Sequence, residues 1–173
     1  MKDFLDACVA RFEALEPELN RLDAAIGDGD HGATILKGLR AAAQADDAPD
    51  AAFRKAAGGA SGALFAQLIK ALMQASEGAA IEDALREAAD RITLLGEAKE
   101  GDKTMLDALI PAARTNTAPD AAKAAAKGRD ATRDMAAQRG RAKHVEGGGV
   151  GHIDPGASSV AELLELYANW RGA

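Results

Sequence analysis

Apolar positions along the chain recur with a helical period. Phe4, Leu5, Cys8, Val9, Phe12 and Leu15 form one stripe, and the pattern predicts its end at Pro17. A second, short helix is expected from Pro17 to Ala25, with proline in its first turn. Ile26 to His31 reads as a loop. Helix resumes from Gly32 to Ala45, breaks over Asp46 to Asp50, and restarts briefly from Pro49. Ser61 is placed as the cap of a helix reaching Ser76, with Leu64, Phe65, Leu68, Ile69 and Leu72 inward. Ile81, Leu85, Ala88, Ile92 and Leu95 repeat the signal on the next helix. Asp102 is expected to cap a helix to about Ala113, Pro119 to Ala137 forms an alanine-rich one, and Pro155 to Trp170 the last. The prediction is an all-α fold of about eight helices in one domain, residues 1–173.

Composition sharpens this. Of 173 residues 43 are alanine, while Val and Ile together give only 11 and aromatics 6. Strands favour β-branched and aromatic residues, so a sheet-based fold is excluded. Alanine favours helices and lets their axes approach closely. The net charge of -6, without a long basic run, argues against a nucleic-acid partner. The single cysteine, Cys8, excludes an intrachain disulfide and a cysteine-based zinc cluster. No apolar run nears the ~20 residues of a membrane span, and the charged N-terminus does not read as a signal peptide. A cytoplasmic protein with no membrane partner is expected.

Glycine is concentrated by place. Of 18 glycines, 14 lie in four interhelical stretches, 27–32, 58–62, 96–101 and 140–156. In the first, Gly27, Gly29 and Gly32 fit a GxGxxG pattern. The preceding segment is helical, however, and Asp28 and Asp30 would repel a pyrophosphate. An EF-hand fails because its twelfth position is Leu39. Asp23, Asp28 and Asp30 instead offer three hard oxygen donors suited to Mg²⁺, which would turn an acidic loop into a phosphate site. The alternative is a solvated acidic turn. Gly58-Gly59-Ala60-Ser61-Gly62 opens a helix, where backbone N–H groups bind anions; the alternative is a flexible turn. Gly96 to Thr104 approximates a Walker A loop, but Asp102 is an extra residue before Lys103 and no strand precedes it. The fourth stretch, Gly140 to Gly156, has the composition of a lid, carries Arg141, and ends with Asp154 as cap and Pro155 at the first helical position. Alternate connections of an antiparallel helical array share one end, so all four stretches are expected on one rim.

The ordered motifs LDAAIGDGDHG, GGASG, GDKTMLD and GRA…GHIDPGASS resemble those of the dihydroxyacetone kinase L subunit family. The resemblance runs from about Leu19 to Ser159. It implies a closed barrel of eight antiparallel amphipathic helices with a nucleotide, ADP or ATP, at one rim. By the same resemblance Asp23, Asp28 and Asp30 hold two Mg²⁺ ions, and His31, Gly32, Ala33 and Thr34 contact the nucleotide. Gly59, Ala60 and Ser61 cradle phosphate, Gly96 and Met105 line the adenine site, and Asp154, Pro155 and Gly156 close it. Asp30 and Arg141 are the residues assigned to catalysis, which is by positioning and charge neutralisation. Three departures stand beside the donor site. Lys143 and His144 follow GRA in place of a small hydroxyl residue and an aromatic, GGGVG replaces a more polar lid, and Glu97 stands where lysine is common.

The implied function is phosphoryl transfer to a short ketose held by a K-type subunit. Bound ADP is then rephosphorylated in place by a phosphotransferase-system M subunit, or ATP exchanges each cycle. Two other classes fit the residues less well. A lipid-carrying barrel conflicts with alanine-rich staves, and a metal-dependent phosphatase conflicts with a lid that excludes water.

Overall fold

The computed structural model describes residues 1–172. Among them are eight α-helices and no strand: α1 (Lys2–Ala24), α2 (His31–Gln44), α3 (Pro49–Ala57), α4 (Gly59–Ser76), α5 (Ile81–Gly96), α6 (Leu106–Ala112), α7 (Ala118–Ala131) and α8 (Pro155–Gly172). Each helix packs on the next, and α8 returns to α1, so the ring closes. Its interior is filled by side chains. Phe4, Phe12, Phe53 and Tyr167 are all at most 1% exposed, and Phe4 meets Tyr167 edge-on at 5.5 Å.

Small residues set the spacing between staves. Ala121 and Ala125 are the buried residues of α7, and they face a short, alanine-containing α6. At Gly128 the fit is closest: a Cβ there would stand 2.0 Å from the Asp107 carbonyl oxygen. Backbone, not a movable side chain, occupies the position.

Five local expectations are corrected. Pro17 does not end a helix but lies inside α1. Phe12 and Leu19 are buried on either side of it, and their packing outweighs the ~3 kcal/mol a helix-interior proline costs. α4 begins at Gly59, before Ser61, because Gly58 takes φ +69° and turns the chain without a side-chain cap. α7 ends at Ala131 and gives way to a 3₁₀ turn at Thr132–Asp134, so Met135 to Ala137 are not α-helical. Leu95 is exposed, as is Leu94, because the apolar stripe of α5 leaves the core in its last turn. Asp102 does not cap α6, which starts at Leu106; its carboxylate accepts the Lys99 N–H at 2.9 Å within the preceding loop.

Alanine at an ordinary helix-interior glycine stabilises by about 1 kcal/mol. Gly128→Ala is expected to do the opposite and lower the urea midpoint, because the α6 backbone must retreat. A raised midpoint would contradict so close a seam between α6 and α7.

Candidate functional site

The connections α1–α2, α3–α4, α5–α6 and α7–α8 meet at one end of the ring. They line a cleft of about 410 Å³ with residues between Asp23 and Thr34, Ala57 and Phe65, Lys103 and Met105, Arg139 and Ala142, and Asp154 and Gly156.

The acidic side is built around one carboxylate. Asp23 lies in the last turn of α1, and the chain bends back over it. Its Oδ2 accepts the N–H groups of Gly29 and Asp30 at 2.9 Å each and of His31 at 3.2 Å. Gly27 permits the bend, since a Cβ there would lie 2.3 Å from Asp23 Oδ1. Asn20 Oδ1 takes the Ala33 N–H at 3.2 Å. Asp23 and Asn20 together thus satisfy the first turn of α2, where N–H groups have no helical acceptor. Asp30 stands at the N-cap of α2 but makes no cap hydrogen bond. Its carboxylate is left for the cleft.

Asp23, Asp28 and Asp30 each place an oxygen within 4.8 Å of the others. Carboxylates this close repel, and one cation, Arg141 on Asp28, reaches the group. A divalent cation would offset the remaining repulsion, and an all-oxygen donor set with exposed faces suits Mg²⁺, which keeps water and phosphate ligands. These residues therefore fit the ion.

Opposite lies the start of α4. Gly58, Gly59, Ala60 and Ser61 line the cleft. The Gly62 N–H is bonded to Gly58 O, whereas those of Gly59, Ala60 and Ser61 precede any helical acceptor. Such a terminus attracts anions. Ile26, Leu64, Phe65 and Met105 give the cleft an apolar wall.

Three titratable groups lining the cleft are pushed from their ordinary values, and for Lys103 burial holds the ammonium below its usual range against the pull of Asp154, Asp107 and Asp134. His31 is buried beside the Phe65 ring, with Nε2 2.9 Å from Ser159 Oγ. Burial lowers its pKa to about 4, against the opposing pull of Asp23 and the Pro155 backbone, so the ring is neutral. Asp154 caps α8, accepting the Ala157 N–H at 2.7 Å. Burial raises its pKa to about 7, against that hydrogen bond.

Most residues expected from the sequence meet here, and three do not line the cleft. Gly32 is buried where α2 crosses α1, and a Cβ there would stand 2.5 Å from Glu16 O. Ala33 is exposed, and its N–H is taken by Asn20. Gly96 lies beside Leu64, which does line the cleft. The sequence reading missed Lys103, Thr104 and Arg139 as lining residues. Lys103 and Thr104 lay in a segment set aside because it failed a Walker pattern, and Leu64 and Phe65 were taken only as core.

A model of the DAK2 domain family matches residues 25–169. An L-erythrulose 1-kinase of Mycolicibacterium smegmatis is 39% identical over 87% of this chain and 32% of its own length. The chain spans about a third of that relative and of two other erythrulose kinases it matches. The ADP-binding subunit of the PEP-dependent dihydroxyacetone kinase of Escherichia coli is 30% identical over 96% of this chain and 93% of its own length. The crystal structure of the dihydroxyacetone kinase of Citrobacter freundii in complex with AMP-PNP and Mg²⁺ superposes with a TM-score of 0.72 at 26% identity. That match covers 98% of this chain and 33% of that one.

The Asp154 shift fixes the sign of a pH effect. Its folded pKa lies above the ordinary aspartate value of 3.8. The folded state therefore holds a proton that the unfolded state has released, and stability is lost as pH rises from about 4 through 7. The stability of Asp154→Asn relative to the parent is expected to increase between pH 4 and pH 8. His31 acts in the opposite sense, with stability lost as pH falls from 6.5 toward 4, but it is common to both proteins and cancels. Urea melts across that range measure the difference; a flat difference would refute the buried, protonated carboxyl.

Proposed function

The chain belongs to the DAK2 domain family, and from that premise we propose that it is a Mg-nucleotide-binding phosphotransferase subunit of a dihydroxyacetone-type kinase. It passes a phosphoryl group to a short ketose held by a K-type subunit. One observation carries the reading: three carboxylates within 4.8 Å of one another share a cleft with the amide-rich start of α4 and an apolar wall. Phosphates need the first two, and a purine needs the third.

Asp23, Asp28 and Asp30 would hold Mg²⁺, two ions in this proposal, which when bound neutralises and orients phosphate oxygens. Gly59, Ala60 and Ser61 hold phosphate by N–H groups and hydroxyl. Thr34 lines the cleft on the acidic side, and Leu64, Phe65 and Met105 receive the base. Arg141 lies close enough to the acidic loop to stabilise charge on the moving phosphoryl group. His31 is no free base, being neutral and engaged with Ser159. The proton of the acceptor hydroxyl therefore leaves through the partner, and this subunit works by positioning.

The relative that the chain covers almost end to end is named an ADP-binding subunit of a PEP-dependent enzyme. This supports a retained ADP, rephosphorylated in place by a phosphotransferase-system M subunit. A second reading, an ATP-dependent kinase subunit for a ketotetrose, is favoured by the three erythrulose kinases. Mass spectrometry of freshly purified, denatured protein separates them: stoichiometric ADP supports the first, and its absence removes it.

Asp30→Asn is expected to weaken Mg-ADP binding more than about 100-fold, beyond what altering a group around a metal's own ligands costs. The helical circular dichroism should persist, because Asp30 makes no cap bond. Calorimetric titration with Mg-ADP measures the first, and unchanged affinity would refute the metal assignment.

A further inference from the structure

Lys103 is 1% exposed, although it is a lysine in a loop. Its backbone takes φ +59°, the left-handed region that side-chain-bearing residues avoid. Its Nζ donates to Thr132 O and to His152 O. These two carbonyls are the roots of the α7–α8 connection, the first at the C-terminal end of α7, where helix carbonyls carry negative partial charge, the second two residues before the cap of α8. Three more bonds join the same roots. Asp154 N–H meets Thr132 Oγ1 at 2.9 Å, Gly151 N–H meets Arg133 O at 2.7 Å, and Ala137 N–H meets Gly148 O at 2.9 Å. Thr104 and Met105, the next two residues, line the cleft, as do Arg139 to Ala142 of the connection.

We propose that Lys103 is a positioning residue that clips the roots of the α7–α8 connection together and so holds Arg141 and its neighbours over the cleft. A long glycine-rich connection gains little order from its own side chains. A buried ammonium needs acceptors, and the two that Lys103 reaches lie one on each root. The left-handed backbone at Lys103 is what lets the side chain enter between the roots while Thr104 and Met105 stay on the cleft wall. The effect on nucleotide rests on the function proposed above; the clip itself does not.

The test is Lys103→Met in the whole chain without nucleotide. Amide exchange at Ala137, Gly151 and Asp154 is expected to accelerate about tenfold or more, with core amides of α4 such as Leu68 and Leu72 unchanged. Mn²⁺ alone should bind the variant as it binds the parent, because the acidic loop is untouched, while Mg-ADP should dissociate faster. Unchanged exchange at the three amides overturns the clip, and so does equal acceleration of the core, which would make Lys103 merely structural. Failure of the parent to bind Mg-ADP would sink the nucleotide reading and leave the exchange result standing. If Lys103→Met does not fold, NMR of the parent's lysine ammonium groups decides. Hydrogen-bond couplings to the Thr132 and His152 carbonyl carbons are expected, and their absence overturns the proposal.

Discussion

The rim is organised by carboxylates that accept backbone N–H groups. A loop with few apolar side chains must still satisfy its amides, and in three connections aspartates do so. Asp23 gathers three amides of the α1–α2 loop. Asp107, buried at the start of α6, accepts from Gly101 at 2.5 Å and Thr104 at 2.7 Å. Asp154 holds the first turn of α8. Each carboxylate is fixed to a helix, and the loop is shaped around it. The glycines are then a consequence: at Gly27 a side chain would collide with the carboxylate that folds the loop. This division of labour frees other groups. Because Asp23 and Asn20 satisfy α2, Asp30 is spared from capping it.

The barrel and the rim answer different constraints with different residues. The staves pack through alanine and a few glycines, so the backbones of α6 and α7 touch at Gly128. That spacing places the starts of α2, α4 and α8 around one cleft, and all three helices contribute residues to it. The aromatics fill the middle, where short side chains would leave voids.

The helical period was legible for most of the chain because amphipathic faces repeat on a scale that local sequence contains. What escaped was decided at a distance. Pro17 reads as a break, but the packing of α1 on both sides carries the helix through it. Asp102 looks like a cap three residues early, while Asp107, inside α6, takes the loop's amides instead. The close grouping of Asp23, Asp28 and Asp30 and the glycine start of α4 were legible, since their spacing is local. Gly96 lies beside Leu64 rather than on the cleft itself, and Lys103 was invisible: its partners lie 29 and 49 residues away. No short motif encodes contacts of that kind.

The two charged sides of the cleft touch through Arg141 and Asp28. Both side chains are well exposed, at 66% and 47%, so the pair contributes no more than about 1 kcal/mol and is readily exchanged. A divalent cation held by the three aspartates would compete for the same carboxylate. It would release Arg141 toward whatever anion the cation brings. The grip of the α7–α8 connection on the acidic loop is thus weak at its tip. At its roots the grip is strong and rests on the buried bonds of Thr132 and Lys103. A connection fixed at its base and loosely held at its tip can move over the cleft without losing its place in the fold.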